Sequence, residues 1–212
     1  EHPWSDKRAI EDFLNRDKNI SAVMLAAGKG TRMKSDMPKV LHKICGRPMI
    51  SYTLENLRSA GVGDIVAVIS FKRNIVKKYI QGAAKIAIQK NPKGGTADAA
   101  RTGFEKIIPE SKILIIINGD DSAFYTPETI KNIVKIHLER ERNLTFVSLM
   151  KENPTGLGRV IRGKDGLITK IVEEKEATDE EKRIKEVNDG LYVFDRKWFS
   201  ESKKRGDLFS PR

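Results

Sequence analysis

Residues 112–117, K-I-L-I-I-I, constrain the architecture of this chain more tightly than any other stretch. The run lacks the apolar–polar alternation of a half-buried strand, so both of its faces must be covered. A strand from Lys112 to Ile117 of this kind belongs at the centre of a parallel sheet with helices on either side. Further apolar or β-branched runs predict strands at 21–27, Ile65–Ser70, Ile86–Gln89 and Leu144–Met150. Between them, helical periodicity predicts helices at Met49–Ala60, Ile75–Ile80, Thr96–Ile108 and Pro127–Arg140. Strands alternating with helices up to about residue 150 specify an α/β, Rossmann-like doubly wound and mostly parallel sheet with right-handed crossovers. In such sheets, ligands bind beyond the carboxyl ends of the strands.

Three loops fall at that edge. The first strand breaks into A-G-K-G-T-R-M, followed by Pro38-Lys39. Glycines let backbone N–H groups approach a bound anion, while Arg32 and Lys39 offer a bidentate donor and a point charge suited to phosphate. The second loop, N-P-K-G-G-T (91–96), opens a helix and is again an anion or carbonyl site. The third, Asn118-Gly119-Asp120-Asp121, brings two carboxylates to a strand end. Magnesium is held by one or two carboxylates together with substrate phosphates, so a metal-ligand role fits. Neighbouring residues on an extended chain point opposite ways, and Asp120 is preferred to Asp121.

Other chemistries are disfavoured. The chain lacks a G-x-S-x-G elbow, a Walker A loop and a dinucleotide G-x-G-x-x-G, since Met33 stands where the third glycine would be. One cysteine and the scattered His2, His42 and His137 exclude a structural zinc site, and His42 and His137 read as packing or surface residues. Cys45, among Leu41, Ile44, Met49 and Ile50, reads as a small buried hydrophobe. The net charge of +11 favours anionic partners, but the basic residues are spread along the chain without an aromatic-rich basic element. Nucleic acid is therefore disfavoured against phosphorylated small molecules. Neither a membrane-spanning run nor a leader-like apolar segment is evident, and with a single cysteine the expected compartment is the cytoplasm.

Residues 1–20 read as a lead-in with an amphipathic helix around 6–16, and 21–199 as one domain. From 151 to 195 the pattern becomes β-rich: a loop at P-T-G-L-G-R (154–159), a hairpin turning at Lys164-Asp165-Gly166, a charged span Glu174–Lys185 and a strand Glu186–Phe194. The polar, basic stretch 200–212 reads as a loose tail.

The string L-A-A-G-K-G-T-R-M followed by P-K resembles the opening motif of the sugar-nucleotide pyrophosphorylases, in particular the uridylyltransferase domains that act on N-acetylglucosamine 1-phosphate. The resemblance extends through P-K-V-L-H (38–42), G-G-T-A (94–97), N-G-D (118–120), P-T-G-L-G-R (154–159), I-V-E-E-K-E-A-T (171–178) and E-V-N-D-G (186–190). It implies transfer of a nucleotidyl group, with Mg²⁺, from a nucleoside triphosphate such as UTP to a sugar 1-phosphate that feeds cell-wall precursors, with release of pyrophosphate. On that resemblance Leu25, Ala26, Ala27, Gly28, Gly30 and Thr31 surround the nucleotide, and Gln89, Gly95 and Thr96 contact the base. Arg32 and Lys39 hold the phosphates as catalytic groups, Asp120 binds the metal, and Gly158, Glu173 and Asn188 hold the amino sugar in a small β-rich sugar-binding insertion.

Two alternatives stay open at this level. The family pattern is departed from at Asp121-Ser122-Ala123-Phe124 and at Asp189, and the family's second metal ligand lies beyond Arg212, which leaves a nucleotide-sugar binding module of little turnover. A related thymidylyl- or cytidylyltransferase is the other. Base, sugar and oligomeric state are not specified by the motifs.

Overall fold

The computed structural model describes residues 6–16, 18–30, 33–120 and 124–205. In chain order these form α1 (Lys7–Leu14), β1 (Ile20–Ala26), β2 (Lys43–Ile44), β3 (Arg47–Pro48), α2 (Met49–Ser59), β4 (Asp64–Ile69), α3 (Arg73–Ile80), β5 (Lys85–Ile88), α4 (Gly95–Phe104), β6 (Ile113–Asn118), α5 (Pro127–Glu139), β7 (Leu144–Met150), β8 (Arg159–Arg162), β9 (Ile168–Val172), α6 (Asp179–Lys182), β10 (Glu186–Asp195) and α7 (Arg196–Arg205). Two compact units result, one from residues up to 145 together with those from 192 onward, the other from 146 to 191.

In the first unit β1 pairs in parallel with β4 on one side and β6 on the other, with Val23 opposite Val66 and Ile116. β5 extends the sheet beyond β4, again in parallel, and residues 192–195 of β10 add an antiparallel strand to β6. Ala22, Val23 and Met24 are all fully buried, although successive side chains leave opposite faces of a strand. Both faces are therefore covered, as the apolar runs require, and the doubly wound α/β expectation holds. One face packs Val23, Val66, Val68, Leu114 and Ile116 against Ala99, Ala100 and Phe104 of α4 and Phe199 of α7. A Cβ added at Gly103 would overlap Val23 Cγ1 and stand 2.8 Å from Val68 Cγ2, so glycine lets α4 lie this close to the sheet.

Three local expectations are corrected. The helix opening at the glycine loop ends at Phe104 rather than Ile108, because the Ile108 N–H is taken by the buried Asp64 carboxylate at 2.8 Å and Pro109 disfavours helical geometry before it. Cys45 is exposed, not buried: with φ of 49° it forms, with Gly46 at 80°, the two-residue turn joining β2 to β3. Part of the expected loose tail is helical, since α7 continues to Arg205 and buries Phe199 and Ser202 on one face. The Phe199 ring sits 4.9 Å from that of Phe104 and 5.0 Å from that of Phe194, centroid to centroid. Residues 206–212 of that tail lie outside the described residues.

The second unit is a small antiparallel sheet in which β10 lies between β7 and β8, and β9 pairs β8. The expected hairpin forms, closed by Gly163 N–H to Leu167 O at 2.8 Å, with Gly166 at φ 77°. The charged span contains α6, which starts with a capping box between Thr178 and Glu181. Glu186 accepts from Ser148 Oγ and, through both oxygens, from the Arg162 guanidinium, which ties β7, β10 and β8 together. That guanidinium, then the Ser148 hydroxyl, holds Glu186 below the usual carboxylate range.

Candidate active site

The carboxyl ends of β1, β4, β5 and β6 converge on a cleft of about 520 Å³ in the first unit. Each end is pinned by backbone contacts before any side chain acts. Gly119, just past β6, donates its N–H to Leu25 O of β1 at 2.8 Å, and a Cβ there would stand 3.1 Å from that oxygen. Gln89, just past β5, donates its N–H to Ile69 O of β4 at 3.0 Å, and its own carbonyl accepts from Ser70 Oγ at 3.1 Å.

The loop after β1 supplies the approach. Gly28 has no heavy atom within 4 Å of where its Cβ would stand, so the backbone is open to a ligand at that point. Gly30 has the opposite role. At φ 63°, an added Cβ would lie 2.8 Å from Lys39 Cβ, so the loop folds directly onto the lysine. Lys39 opens a short 3₁₀ turn whose Val40 and Leu41 are buried anchors. Its ammonium pairs with Asp120 Oδ2, and both groups line the cleft.

Of the residues expected at the nucleotide, Leu25, Ala27, Gly28, Gln89, Gly95 and Thr96 line the cleft together with Lys39 and Asp120. Ala26 does not: it is 2% exposed and leaves the opposite face of the strand from Leu25. Gly30 buttresses Lys39 instead of lining the cleft. Thr31, Arg32 and Asp121 lie outside the described residues. Lys29, Val40, Ser70, Phe71, Ala99 and Asn118, none of them assigned a site role from the sequence, complete the lining. Ser70, Phe71 and Asn118 were available from the rule that strand ends carry the site, since they end or follow predicted strands. Lys29 sits with its ammonium 5.7 Å from the centre of the Phe71 ring.

Gln89 is buried, and its amide nitrogen donates to Gly95 O at 3.1 Å and to Asp98 Oδ2 at 3.0 Å. This pair of bonds joins β5 to the start of α4.

Among the described residues, no group of three or more His, Cys, Asp or Glu side chains is placed to hold a metal. A single carboxylate beside a glycine-rich loop nevertheless fits magnesium, which keeps most of its ligands as water and substrate phosphate. Asp120 already holds a cation, the Lys39 ammonium, at that position.

In the second unit, Gly158, Glu173 and Asn188 come together. Gly158 O accepts from Asn188 N–H at 2.9 Å, and the Cβ position of Gly158 lies 3.6 Å from Glu173 Oε1 and 3.8 Å from Asn188 Cβ. Behind them is Arg159, 1% exposed, which closes the P-T-G-L-G-R motif but received no role from it. Its guanidinium donates to Glu174 Oε2 at 2.6 Å, to Lys182 O at 3.3 Å and to Leu157 O. Glu174 also accepts from Gly156 N–H at 3.1 Å. The Arg159 hydrogen bond, followed by that of Gly156, holds the Glu174 carboxyl below its ordinary range. The P-T-G-L-G turn is thus clamped from beneath by a buried arginine and its acid. An arginine just after two glycines, at the start of an apolar strand, was the available signal.

His137 matches its packing role. It is buried on α5, its Nδ1 lies 2.9 Å from Thr145 Oγ1, and burial pushes its pKa down to about 4 against the opposing charge of Asp195.

These features define an α/β domain with a polar cleft at the carboxyl ends of its parallel strands. The nucleotidyl transferase family model matches residues 21–208, and the chain belongs to that family. It is 39% identical over 178 residues to the bifunctional protein GlmU of Caldanaerobacter subterraneus subsp. tengcongensis, which covers 84% of this chain and 38% of that protein. To the bifunctional protein GlmU of Clostridioides difficile it is 39% identical over 184 residues, 87% of this chain and 39% of that protein. The corresponding protein of Bacillus subtilis is 37% identical over 174 residues, 82% and 38% of the two chains. The resemblance read from the motifs is thereby borne out, while the chain spans only about two fifths of the length of these curated relatives. A crystal structure of 4-diphosphocytidyl-2C-methyl-D-erythritolsynthase from Anaerococcus prevotii superposes with a TM-score of 0.62 over 96% of this chain and 80% of that one. At 18% identity this likeness concerns the fold.

Proposed function

We propose that the chain transfers a uridylyl group from UTP to a sugar 1-phosphate, with N-acetylglucosamine 1-phosphate as the sugar substrate, and releases pyrophosphate. The observation that supports this most is the meeting of Lys39 and Asp120 in one cleft with Gln89, Gly95 and Thr96. A cation, an acid and a polar base-sized edge beside an open glycine backbone suit a nucleoside triphosphate better than any other common ligand.

An oxygen of the sugar phosphate attacks the α-phosphorus. The new P–O bond forms as the bond from that phosphorus to the β-phosphate bridging oxygen breaks, and pyrophosphate leaves with the electron pair. The attacking oxygen is already anionic, so the protein needs neither a nucleophile nor a strong base. The absence of a serine elbow from the sequence is consistent with this demand. Lys39 orients the phosphates and offsets their charge, a role we assign to Arg32 as well. Bound magnesium, held through Asp120, would neutralise charge on the triphosphate. Gly158, Glu173 and Asn188 are assigned to the amino sugar.

The test is pyrophosphate release measured over a panel of nucleoside triphosphates and sugar 1-phosphates. Release that needs UTP and N-acetylglucosamine 1-phosphate together is the expected result. Release with CTP or dTTP only would move the chain to a related transferase. Tight UTP binding by calorimetry without release would make it a binding module.

A further inference from the structure

We infer that Asp98 acts as a positioning residue that sets base choice, by holding the Gln89 side-chain amide in one of its two orientations. This rests on the nucleotide occupying the cleft as proposed above.

The chemistry of the two partners limits what the amide can do. A backbone carbonyl only accepts hydrogen bonds, and an ionised carboxylate only accepts. The Gln89 amide faces one of each, Gly95 O at 3.1 Å and Asp98 Oδ2 at 3.0 Å. Only the NH₂ end can satisfy both, using its two hydrogens. The reversed amide would set Oε1 against two acceptors. Most glutamines leave this assignment to be argued from their surroundings; here the surroundings allow one answer.

Asp98 is itself held in place. A Cβ on Gly94 would fall 2.5 Å from Asp98 Cβ, so the carboxylate needs glycine there to lie against the loop. Its other oxygen, Oδ1, is 3.9 Å from Arg101 Nη2 one turn further along α4. It lies in the first turn of that helix, where the backbone dipole favours a negative charge. Neighbouring charge and dipole both suit an accepting carboxylate at this position.

With the NH₂ committed inward, Oε1 is left as the functional end. It has no partner among the described residues, it is not among the fully buried unpaired atoms, and Gln89 lines the cleft. The cleft therefore presents a hydrogen-bond acceptor to the base. Uracil and thymine carry N–H at ring position 3 and satisfy it. Cytosine carries a lone pair at that position and opposes it. A fixed amide turns a residue that is ambiguous by chemistry into a one-way reader.

The experiment compares UTP and CTP binding by calorimetry in the intact chain, the Asp98→Ala variant and the Asp98→Asn variant. The Asp98→Asn side chain keeps the shape but can turn an NH₂ toward Gln89, so it relaxes the constraint without opening a hole. We expect the intact chain to prefer UTP. The preference should fall about tenfold in Asp98→Ala, the effect of losing one charge-assisted hydrogen bond, and by a smaller factor in Asp98→Asn. A merely structural role would weaken both nucleotides together and leave the ratio unchanged; an unchanged ratio in both variants overturns the inference while leaving the proposed function intact. If the intact chain binds neither triphosphate, the proposed function fails and the inference falls with it. Should Asp98→Ala fail to fold, the ratio in Asp98→Asn decides.

Discussion

The Lys39 ammonium and the Asp120 carboxylate, which belong to different loops, form an ion pair at the carboxyl ends of β1 and β6. Lys39 side-chain exposure is 29% and that of Asp120 is 12%, so the pair is partly screened from water but open to the cleft. A triphosphate entering the cleft would compete with Asp120 for the lysine, and a divalent cation would compete with the lysine for Asp120. Each residue is therefore a placeholder for the other's ligand. Replacing either with alanine should lower kcat/KM for pyrophosphate release by a factor on the order of 10²–10³, the scale of removing one preorganised charge at a transferring group. Ordinary rates in both variants would remove these residues from the site.

Arg159 and Glu174 are expected to affect the second substrate alone. Arg159→Met should raise KM for the sugar 1-phosphate while leaving the affinity for UTP unchanged, because the clamp underlies the turn that carries Gly158. It should also lower stability, because the buried guanidinium's bonds to Glu174, Lys182 O and Leu157 O are lost together. Denaturant unfolding beside separate substrate titrations checks both statements.

Gly103→Ala tests how closely α4 lies on the sheet. The new methyl would overlap Val23 Cγ1 and stand 2.8 Å from Val68 Cγ2, both on buried central strands that cannot retreat. Alanine favours a helix over glycine by about 1 kcal/mol, but overpacking a core costs about 1–3 kcal/mol, so a net loss of stability is expected. A melting temperature at or above that of the parent chain would contradict the packing described for this face.

His137 makes stability depend on pH in a defined window. Its pKa is about 4 in the fold against 6.5 when unperturbed, so between these values the unfolded chain binds more protons. The contribution is complete above 6.5, declines as the pH falls toward 4 and is flat below that. Unfolding free energies measured across the window should fall by about 2 kcal/mol, discounted for solvent screening, and His137→Gln should flatten this component.

Much of the fold was legible in the residues. The I-L-I-I-I run predicted the buried central strand, and β6 occupies it to within one residue at each end. The glycine loop, Lys39, Asp120 and the loop 91–96 were each readable because strand ends, glycine turns and helix starts are written in neighbouring residues, whereas Gln89 was reached through motif resemblance. Gly158, Glu173 and Asn188 were reached through motif resemblance, and they do cluster.

Errors arose where the deciding neighbour is distant in sequence or where one geometric detail reverses a local average. Apolar residues flank Cys45, yet a left-handed turn at Cys45 and Gly46 carries it into solvent. The stretch from Ser200 onward is polar on average, yet the helix that begins at Arg196 buries Phe199 and Ser202 along one face, with Phe199 against Phe104 and Phe194. Composition over a window cannot see a single stripe.

Periodicity and turn chemistry are properties of consecutive residues, so the order of strands and helices along the chain, and the end of the sheet that carries the cleft, follow from the amino acids in line. Which acid meets Lys39, which way the Gln89 amide faces and why Arg159 can be buried depend on sheet register and on groups brought from elsewhere in the chain. Charged and amide side chains take their function from partners, and partners are chosen by packing in three dimensions. At Lys39 and Asp120 the residue types were readable in advance, whereas their pairing came only with the folded sheet.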